Sequence, residues 1–412
     1  MKDIIEFGIG FVTGRPNVCK IINSYYENII EQVANIDKQV NITIFILYDM
    51  QYQFTKRTDF YGIIPQVYKN IRIKYITPED IEEEKKILES RYELKKEEVD
   101  LILGHGHAKG RNTVMYFALK RKIDYLLFWD DDEYPIAVIK NEDKTLEWIR
   151  QNNIKEHIKN IKNADITIGH HCGYISPIPY MEIGDDITEE AFRKFIEGIS
   201  NDIVNWENIK ERFQKDNGVT YAKKEILDSE PYEIEYDGTG KWIAGSTLCL
   251  NLNSIDKIPA FYNPKGARGE DTFFSTLLED LKVLRIPTYH FHDGFLKYVQ
   301  IMRGRMPKCL RKINVDEDSI EHRFIQASLG WIKYKPLLMY IKNKGQYKNN
   351  IIEVKEKLKM SIPQIDKLFY NANFEELIEA LEEADKNVTK HYREYIKTNE
   401  VWNKLKNCII EE

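Results

Sequence analysis

Short apolar runs alternate with longer amphipathic or charged stretches through most of the chain. FGIGFVT (7–13) is apolar and is broken by Gly14-Arg15-Pro16, which predicts a strand followed by a turn. Residues 18–33 carry Ile21, Ile22, Tyr25, Ile29 and Ile30 at helical spacing. NITIFILY (41–48) predicts a buried strand ending at Asp49, and IRIKYI (71–76) alternates as a third strand. Residues 78–100 are highly charged and predict a solvated helix. A helix over 111–121 leads into YLLFW (125–129), a wholly apolar strand that stops at three aspartates, and DITIG (165–169) predicts another strand.

Further on, 187–224 has a polar helical pattern, read as part of an insertion over the sheet spanning about 180–236. Residues 241–251 are strand-like, 271–282 helical and 283–292 strand-like. Helices rich in Lys and Glu follow from about 311, so the chain divides into 1–305 and a helical accessory region over 306–412. Strands alternating with helices predict an α/β sandwich with a mostly parallel sheet. Its ligand crevice lies beyond the carboxyl ends of the strands, where Thr13-Gly14-Arg15, Asp49, Asp130 to Asp132 and His170-His171 fall. Strand order is not contained in the pattern, and no internal repeat or low-complexity segment interrupts it.

The chain has 412 residues, 42% hydrophobic and 31% charged, enough for a sizeable core. A net charge of −6 argues against a nucleic-acid-coating protein. Five widely spaced cysteines without a C-x-x-C disfavour a disulfide framework or a zinc knuckle, so free thiols in a reducing cytoplasm are expected. The charged opening from Met1 to Phe7 does not read as a secretory leader, and no apolar run approaches the roughly 18 to 20 residues of a membrane span. Trp331, Lys333, Tyr334 and Lys335 suit a packed or solvated helix, which we prefer, or contact with a membrane surface.

Asp130-Asp131-Asp132-Glu133 carries the chemistry. Adjacent ionised carboxylates lose several kcal/mol of solvation each when buried unpaired, so they face water, a cation or a ligand. Alternate residues of an extended strand share a side, which puts Asp130 with Asp132. Two oxygen donors on one side suit Mg²⁺ or Mn²⁺ with positions left open for phosphate oxygens. A solvated acidic loop is the other reading.

The segment GHGHAKGRNTVMYFALKRKIDYLLFWDDDEYP (104–135) resembles the nucleotide-sugar-binding core of GT-A fold glycosyltransferases, especially family 2-like enzymes. There a glycine-rich loop with an Arg-Asn pair opens a helix, and an apolar strand ends in D-x-D. Arg111-Asn112 and Asp130/Asp132 match those elements. Gly269-Glu270-Asp271 resembles the family's x-E-D element, whose carboxylate acts on the acceptor hydroxyl; N-capping of the next helix is the alternative. Pro287 to His292 resembles the late strand that delivers a histidine to the metal, with His292 preferred over His290. By the same analogy Thr13, Arg15 and Asp49, with Asp130 and Asp131, are donor-site candidates. The family's polar-Tyr-Asn turn is replaced by Thr13-Gly14-Arg15-Pro16, a departure that bears on base recognition. Trp242 to Ser246 resembles the small-residue wall near the transferred sugar, or is a buried strand. The resemblance covers roughly residues 7–295.

It implies a GT-A-type, Rossmann-like α/β/α sandwich and a glycosyltransferase that uses Mn²⁺ or Mg²⁺. The donor is a UDP- or GDP-sugar, the acceptor a carbohydrate or other hydroxyl, and the E-D element favours inversion with Asp271 or Glu270 as base. Lys297, Arg303 and Arg305 are read as a basic lid over the diphosphate or as a solvated turn. His105, His107, His170 and His171 line the cleft without assigned chemistry. The competing readings are a sugar-phosphate nucleotidyltransferase, which lacks its glycine-rich signature here, a dehalogenase-like phosphoryl transferase, and a non-catalytic carbohydrate-binding protein.

Overall fold

The first apolar run pairs in register with the second along its whole length, as β1 (Ile4–Thr13) and β2 (Gln39–Tyr48). The computed structural model describes residues 4–50, 55–175, 177–184, 186–200, 206–315, 318–369 and 373–410. The connecting helix α1 (Asn17–Ala34) buries Ile21, Ile22, Tyr25 and Ile29. Then follow α2 (Pro65–Asn70), β3 (Ile71–Ile76), α3 (Pro78–Arg91), α4 (Lys96–Ile102), α5 (His107–Lys120) and β4 (Tyr125–Phe128). A two-residue strand β5 (Glu133–Tyr134), the hairpin β6 (Ile136–Lys140) and β7 (Leu146–Arg150), α6 (Asn153–Ile161) and β8 (Ile166–Tyr174) come next. Beyond them lie α7 (Glu189–Ile199), α8 (Trp206–Asp216), α9 (Lys224–Leu227), β9 (Tyr232–Glu233), β10 (Leu248–Asn251), α10 (Glu270–Ser275) and β11 (Val283–Asp293). The chain ends in α11 (Asp318–Lys342), α12 (Tyr347–Ile365), α13 (Glu376–Lys386) and α14 (Val388–Ile410).

The large sheet runs β3-β2-β1-β4-β10-β8-β11-β5, with β9 on β11. It is mixed, which corrects the expectation of a mostly parallel sheet. Pairing among β1, β2, β3 and β4 is parallel, as is β8 with β11. Strand β10 runs against both β4 and β8, and β5 and β9 run against β11. The reason is local: LCLN in β10 is buried throughout, and a short run buried on both faces reads the same in either direction.

Alternate side chains feed two cores. Phe7, Ile9, Phe11, Leu127 and Trp129 join α1, α6 and the β6–β7 hairpin on one face. Phe45, Leu47, Leu126 and Phe128 join α4, α5 and the end of α14 on the other, where Val401, Trp402 and Leu405 are buried. Glycines set the close approach of α5 to β1: a Cβ at Gly110 would meet Val12 Cγ1 at 2.4 Å.

A third core joins Phe192, Phe195 and Ile196 of α7 to Phe324, Ile332, Leu358 and Ile362 of α11 and α12. The insertion therefore packs on the C-terminal helices; its stretch 201–205 lies outside the described residues. Lys335 fastens the two, donating to the carbonyls of Glu197, Gly198 and Ser200 at 2.8, 2.6 and 2.9 Å. Trp331, Tyr334 and Lys335 are all buried, in keeping with the preferred reading of a packed helix. Among the described residues no helix is long and apolar enough to cross a membrane. Lys335→Met keeps the stem and removes the donors, and is expected to cost about 2 kcal/mol by orphaning buried carbonyls. Chemical denaturation reads this, and unchanged stability would show that the ammonium is not the fastener.

Candidate functional site

The order β3-β2-β1-β4 reverses at β1, and in open α/β sheets such a reversal opens a crevice beyond the strand carboxyl ends. Thr13 ends β1, Asp49 follows β2, and Asp130 lies just past β4. The Asp49 amide donates to the Thr13 carbonyl at 2.8 Å, and the Trp129 amide to Gly10 at 3.1 Å, so these ends leave the sheet side by side. Past β4, the two-residue pairing of β5 with β11 sets Glu133 opposite His292. The Asp293 amide donates to the Asp132 carbonyl at 2.8 Å. That stitching places the acidic run against the late histidine strand.

The four carboxylates then point to four sets of partners. Asp131 accepts the Thr13 hydroxyl and pairs with the Arg15 guanidinium. Asp132 Oδ2 takes Arg15 Nη2 at 2.9 Å and Arg323 Nη2 at 3.1 Å, while its Oδ1 lies 3.5 Å from His292 Nε2. Glu133 sits among His171 Nε2 at 2.9 Å, His290 Nδ1 at 3.1 Å and the Ser246 hydroxyl at 2.5 Å. Asp130, whose side chain is 37% exposed, faces Arg111 Nη2 at 3.5 Å.

Arg111 is the hinge of the site. Its Nε donates to Glu270 Oε1 at 3.1 Å, so it joins the acidic run to the E-D turn. Its cationic carbon lies 4.9 Å from the Phe128 ring centre and 5.9 Å from that of Phe261. A Cβ at Gly245 would meet Arg111 Nη2 at 2.6 Å, so a glycine there lets the guanidinium lie flat against the 241–247 loop. Helix α5 begins at His107, earlier than expected, which puts Arg111 and Asn112 in its second turn instead of at its opening. Ala108 meets Asn263 Oδ1 with its amide at 3.0 Å. Asn112 is fully buried and clamps the Phe261 backbone, donating to its carbonyl at 2.9 Å and accepting its amide at 2.8 Å. Both ends of its amide are spent on the backbone, so it holds a neighbouring segment in place.

Gly269, with φ 81°, starts α10, so Asp271 is not the N-cap. Asp271 Oδ2 accepts the Gly245 amide at 3.0 Å, and its Oδ1 accepts the Thr272 amide at 2.8 Å. Burial and the adjacent Glu270 push the Asp271 carboxyl up to about 6. Glu270 goes the other way: burial would raise it, but His107 and Arg111 hold it below its ordinary value. Partial burial and the crowding of Glu133, Asp132 and Asp131 push Asp130 up to about 7, against the pull of Arg111. Asp132 lies well below the carboxylate range because Arg15, His292 and Arg323 outweigh its burial.

Of the four proposed metal ligands, Asp132 and His292 meet. His290 turns its Nδ1 to Glu133 and lies tilted against Trp129 with ring centres 5.2 Å apart, and Asp130 turns to Arg111. Among the described residues no group of three or more His, Cys, Asp or Glu side chains is arranged to hold a metal ion. The Asp132–His292 pair remains a mixed O/N edge of the kind Mn²⁺ accepts. Arg303 and Arg305 are exposed on the loop after β11, and the carboxylates draw their guanidiniums from Arg15 and Arg323. The base of that loop is pinned by Asp293, which accepts the Lys297 and Tyr298 amides at 2.9 and 2.7 Å. His105 is half-buried, His107 is exposed, and His170 stacks on Tyr289 with ring centres 5.2 Å apart. Residues 241–247 are irregular, and the strand starts only at Leu248.

Sequence reasoning missed the roles of Arg323, His171 and Ser246. His170-His171 was expected just past a strand end with no assigned chemistry; β8 instead runs on to Tyr174, so the pair lies within the strand. Arg323 carries no local signal. No protein-family model matches the chain, and no curated relative is detected.

Proposed function

We propose that the protein is a GT-A-type glycosyltransferase that moves a sugar from a nucleotide-diphosphate sugar to an acceptor hydroxyl with inversion. The observation that carries this reading is the Arg111 bridge, 3.5 Å to Asp130 and 3.1 Å to Glu270. It brings an acidic element at a strand end and an acidic turn, far apart in the chain, into one cleft. The strand reversal at β1 supports nucleotide binding beside Thr13, Arg15 and Asp49.

Asp271 acts as general base. It takes the proton of the acceptor hydroxyl as that oxygen bonds to the anomeric carbon and the bond to the diphosphate breaks. A carboxyl pushed up to about 6 is poised near neutral pH for that task. Six acids (Asp130, Asp131, Asp132, Glu133, Glu270 and Asp271) stand around three guanidiniums, those of Arg15, Arg111 and Arg323. An anionic donor needs further positive charge there. Mn²⁺ or Mg²⁺ held by Asp132 and His292 would supply it and offset the charge of the departing nucleoside diphosphate.

Melting and a donor panel test the reading. UDP or GDP is expected to raise Tm in the presence of Mn²⁺ or Mg²⁺, and one member of a sugar-nucleotide panel to be slowly hydrolysed without acceptor. No nucleotide-dependent shift with either cation would remove it. Stabilisation by a nucleoside triphosphate plus sugar phosphate would replace it with nucleotidyl transfer.

A further inference from the structure

The C-terminal helices reach the acidic run through Arg323. Arg323, in the second turn of α11, places Nη2 3.1 Å from Asp132 Oδ2, the same oxygen that Arg15 Nη2 meets at 2.9 Å. Two like-charged heads thus converge on a single carboxylate oxygen. Asp131 answers part of the charge through Arg15, and His292 adds a third nitrogen at the other oxygen of Asp132. Paired guanidiniums suit a group that carries several negative charges on fixed oxygens, because each offers a planar fork of donors. The Arg323 side chain is 26% exposed against 14% for Arg15, so it is the one nearer solvent.

Helix α11 is fixed to the site's other half. The Arg268 amide donates to the Gly330 carbonyl at 3.1 Å. A Cβ at Gly269 would lie 2.8 Å from the Tyr334 ring, so α11 packs directly under the glycine that starts the E-D turn. Lys335 ties the same helix to α7. Arg323 therefore rides on an anchored helix that touches both acidic elements.

We propose that Arg323 is an anion-binding residue of the cleft, held by Asp132 beside Arg15 until a diphosphate takes the pair. As an anion site the inference stands on these contacts; naming the anion a nucleoside diphosphate rests on the proposed function. The C-terminal region is then part of the binding machinery.

Isothermal titration of the full-length protein with inorganic pyrophosphate, and separately with UDP and GDP, tests this with and without Mn²⁺. Losing a charge-assisted contact in Arg323→Ala is expected to weaken pyrophosphate about ten- to a hundredfold. Arg323→Lys recovers part of the loss, since it restores the charge without the fork. Tm without ligand is expected to change little, because Asp132 retains Arg15 and His292. If Arg323→Ala does not fold, the comparison of Arg323→Lys with Arg323→Gln decides in the same way. Equal pyrophosphate affinity in variant and wild type, or none in wild type, overturns the proposal. Intact UDP or GDP binding in both proteins would sink Arg323 while sparing the donor reading. Arg323-dependent pyrophosphate binding with no binding of either nucleotide would do the reverse.

Discussion

Asp271→Asn is expected to lower kcat by about 10²–10⁴-fold, the usual worth of a general base, while KM for the donor stays close to its original value. The geometry makes the comparison informative. Each Asp271 oxygen accepts one backbone amide, from Gly245 at 3.0 Å and Thr272 at 2.8 Å, and keeps a second lone pair for a substrate proton. Asparagine fills the same space but has one acceptor, so one amide faces an NH₂ group at a cost of about 1 kcal/mol. Stability therefore moves little where catalysis moves much. The pH profile adds an independent readout. A general base works ionised, and burial beside Glu270 raises the Asp271 carboxyl to about 6, so kcat/KM in the wild type is expected to rise with pH through about 6. The variant should lose that acid limb. Turnover that survives in Asp271→Asn with the limb intact would take this carboxylate out of the mechanism.

The legible parts of the fold were those where one strand's pattern decides the matter. Residues 41–48 and 71–76 read as strands and are strands: the first is buried almost throughout, and the second alternates at the sheet edge with Ile71 and Ile76 buried. The direction of β10 was not legible, since direction depends on where the chain enters the sheet and not on burial. At the site, Asp130 to Asp132, Glu270-Asp271 and His292 were named from local motifs, and the fold joins Asp130 to Glu270 through Arg111 and sets Asp132 beside His292. The sorting of their partners was not readable. His290 and His292 share a strand face, and β5 sets Glu133 opposite His292, yet the Glu133 side chain turns to His290 and that of Asp132 to His292. Arg303 and Arg305 are exposed, while the arginine that meets Asp132 comes from α11, far along the chain. Asn112 shows the limit of motif reading in the other direction: its place beside Arg111 is kept, while its amide serves the Phe261 backbone.

Arg111→Ala should be the most destabilising single change in the cleft, at about 3–5 kcal/mol, because it strands a buried carboxylate. Arg111 is nearly enclosed, lies against Phe128 and Phe261, and is bonded to Glu270 at 3.1 Å. Its loss removes that packing and leaves Glu270, whose side chain is mostly buried, without its hydrogen-bonded cation. The pH dependence follows from the direction of the Glu270 shift. His107 and Arg111 hold that carboxyl below 4.5 against its burial, so the pair contributes stability above that value and loses it as pH falls through the native one. The gap between variant and wild type in urea denaturation should be widest at neutral pH and narrow toward pH 4. A second substitution separates charge from packing: Glu270→Gln in the Arg111→Ala background neutralises the stranded group and should recover part of the loss. Lysine at position 111 should recover less than its charge suggests, since an ammonium cannot serve Glu270 and Asp130 through one planar fork. A cost below about 1 kcal/mol for Arg111→Ala, or no recovery from the added Glu270→Gln, would mean that the bridge is held by packing alone. The electrostatic link between the two halves of the cleft would then fall, and with it the main support for a single donor–acceptor site.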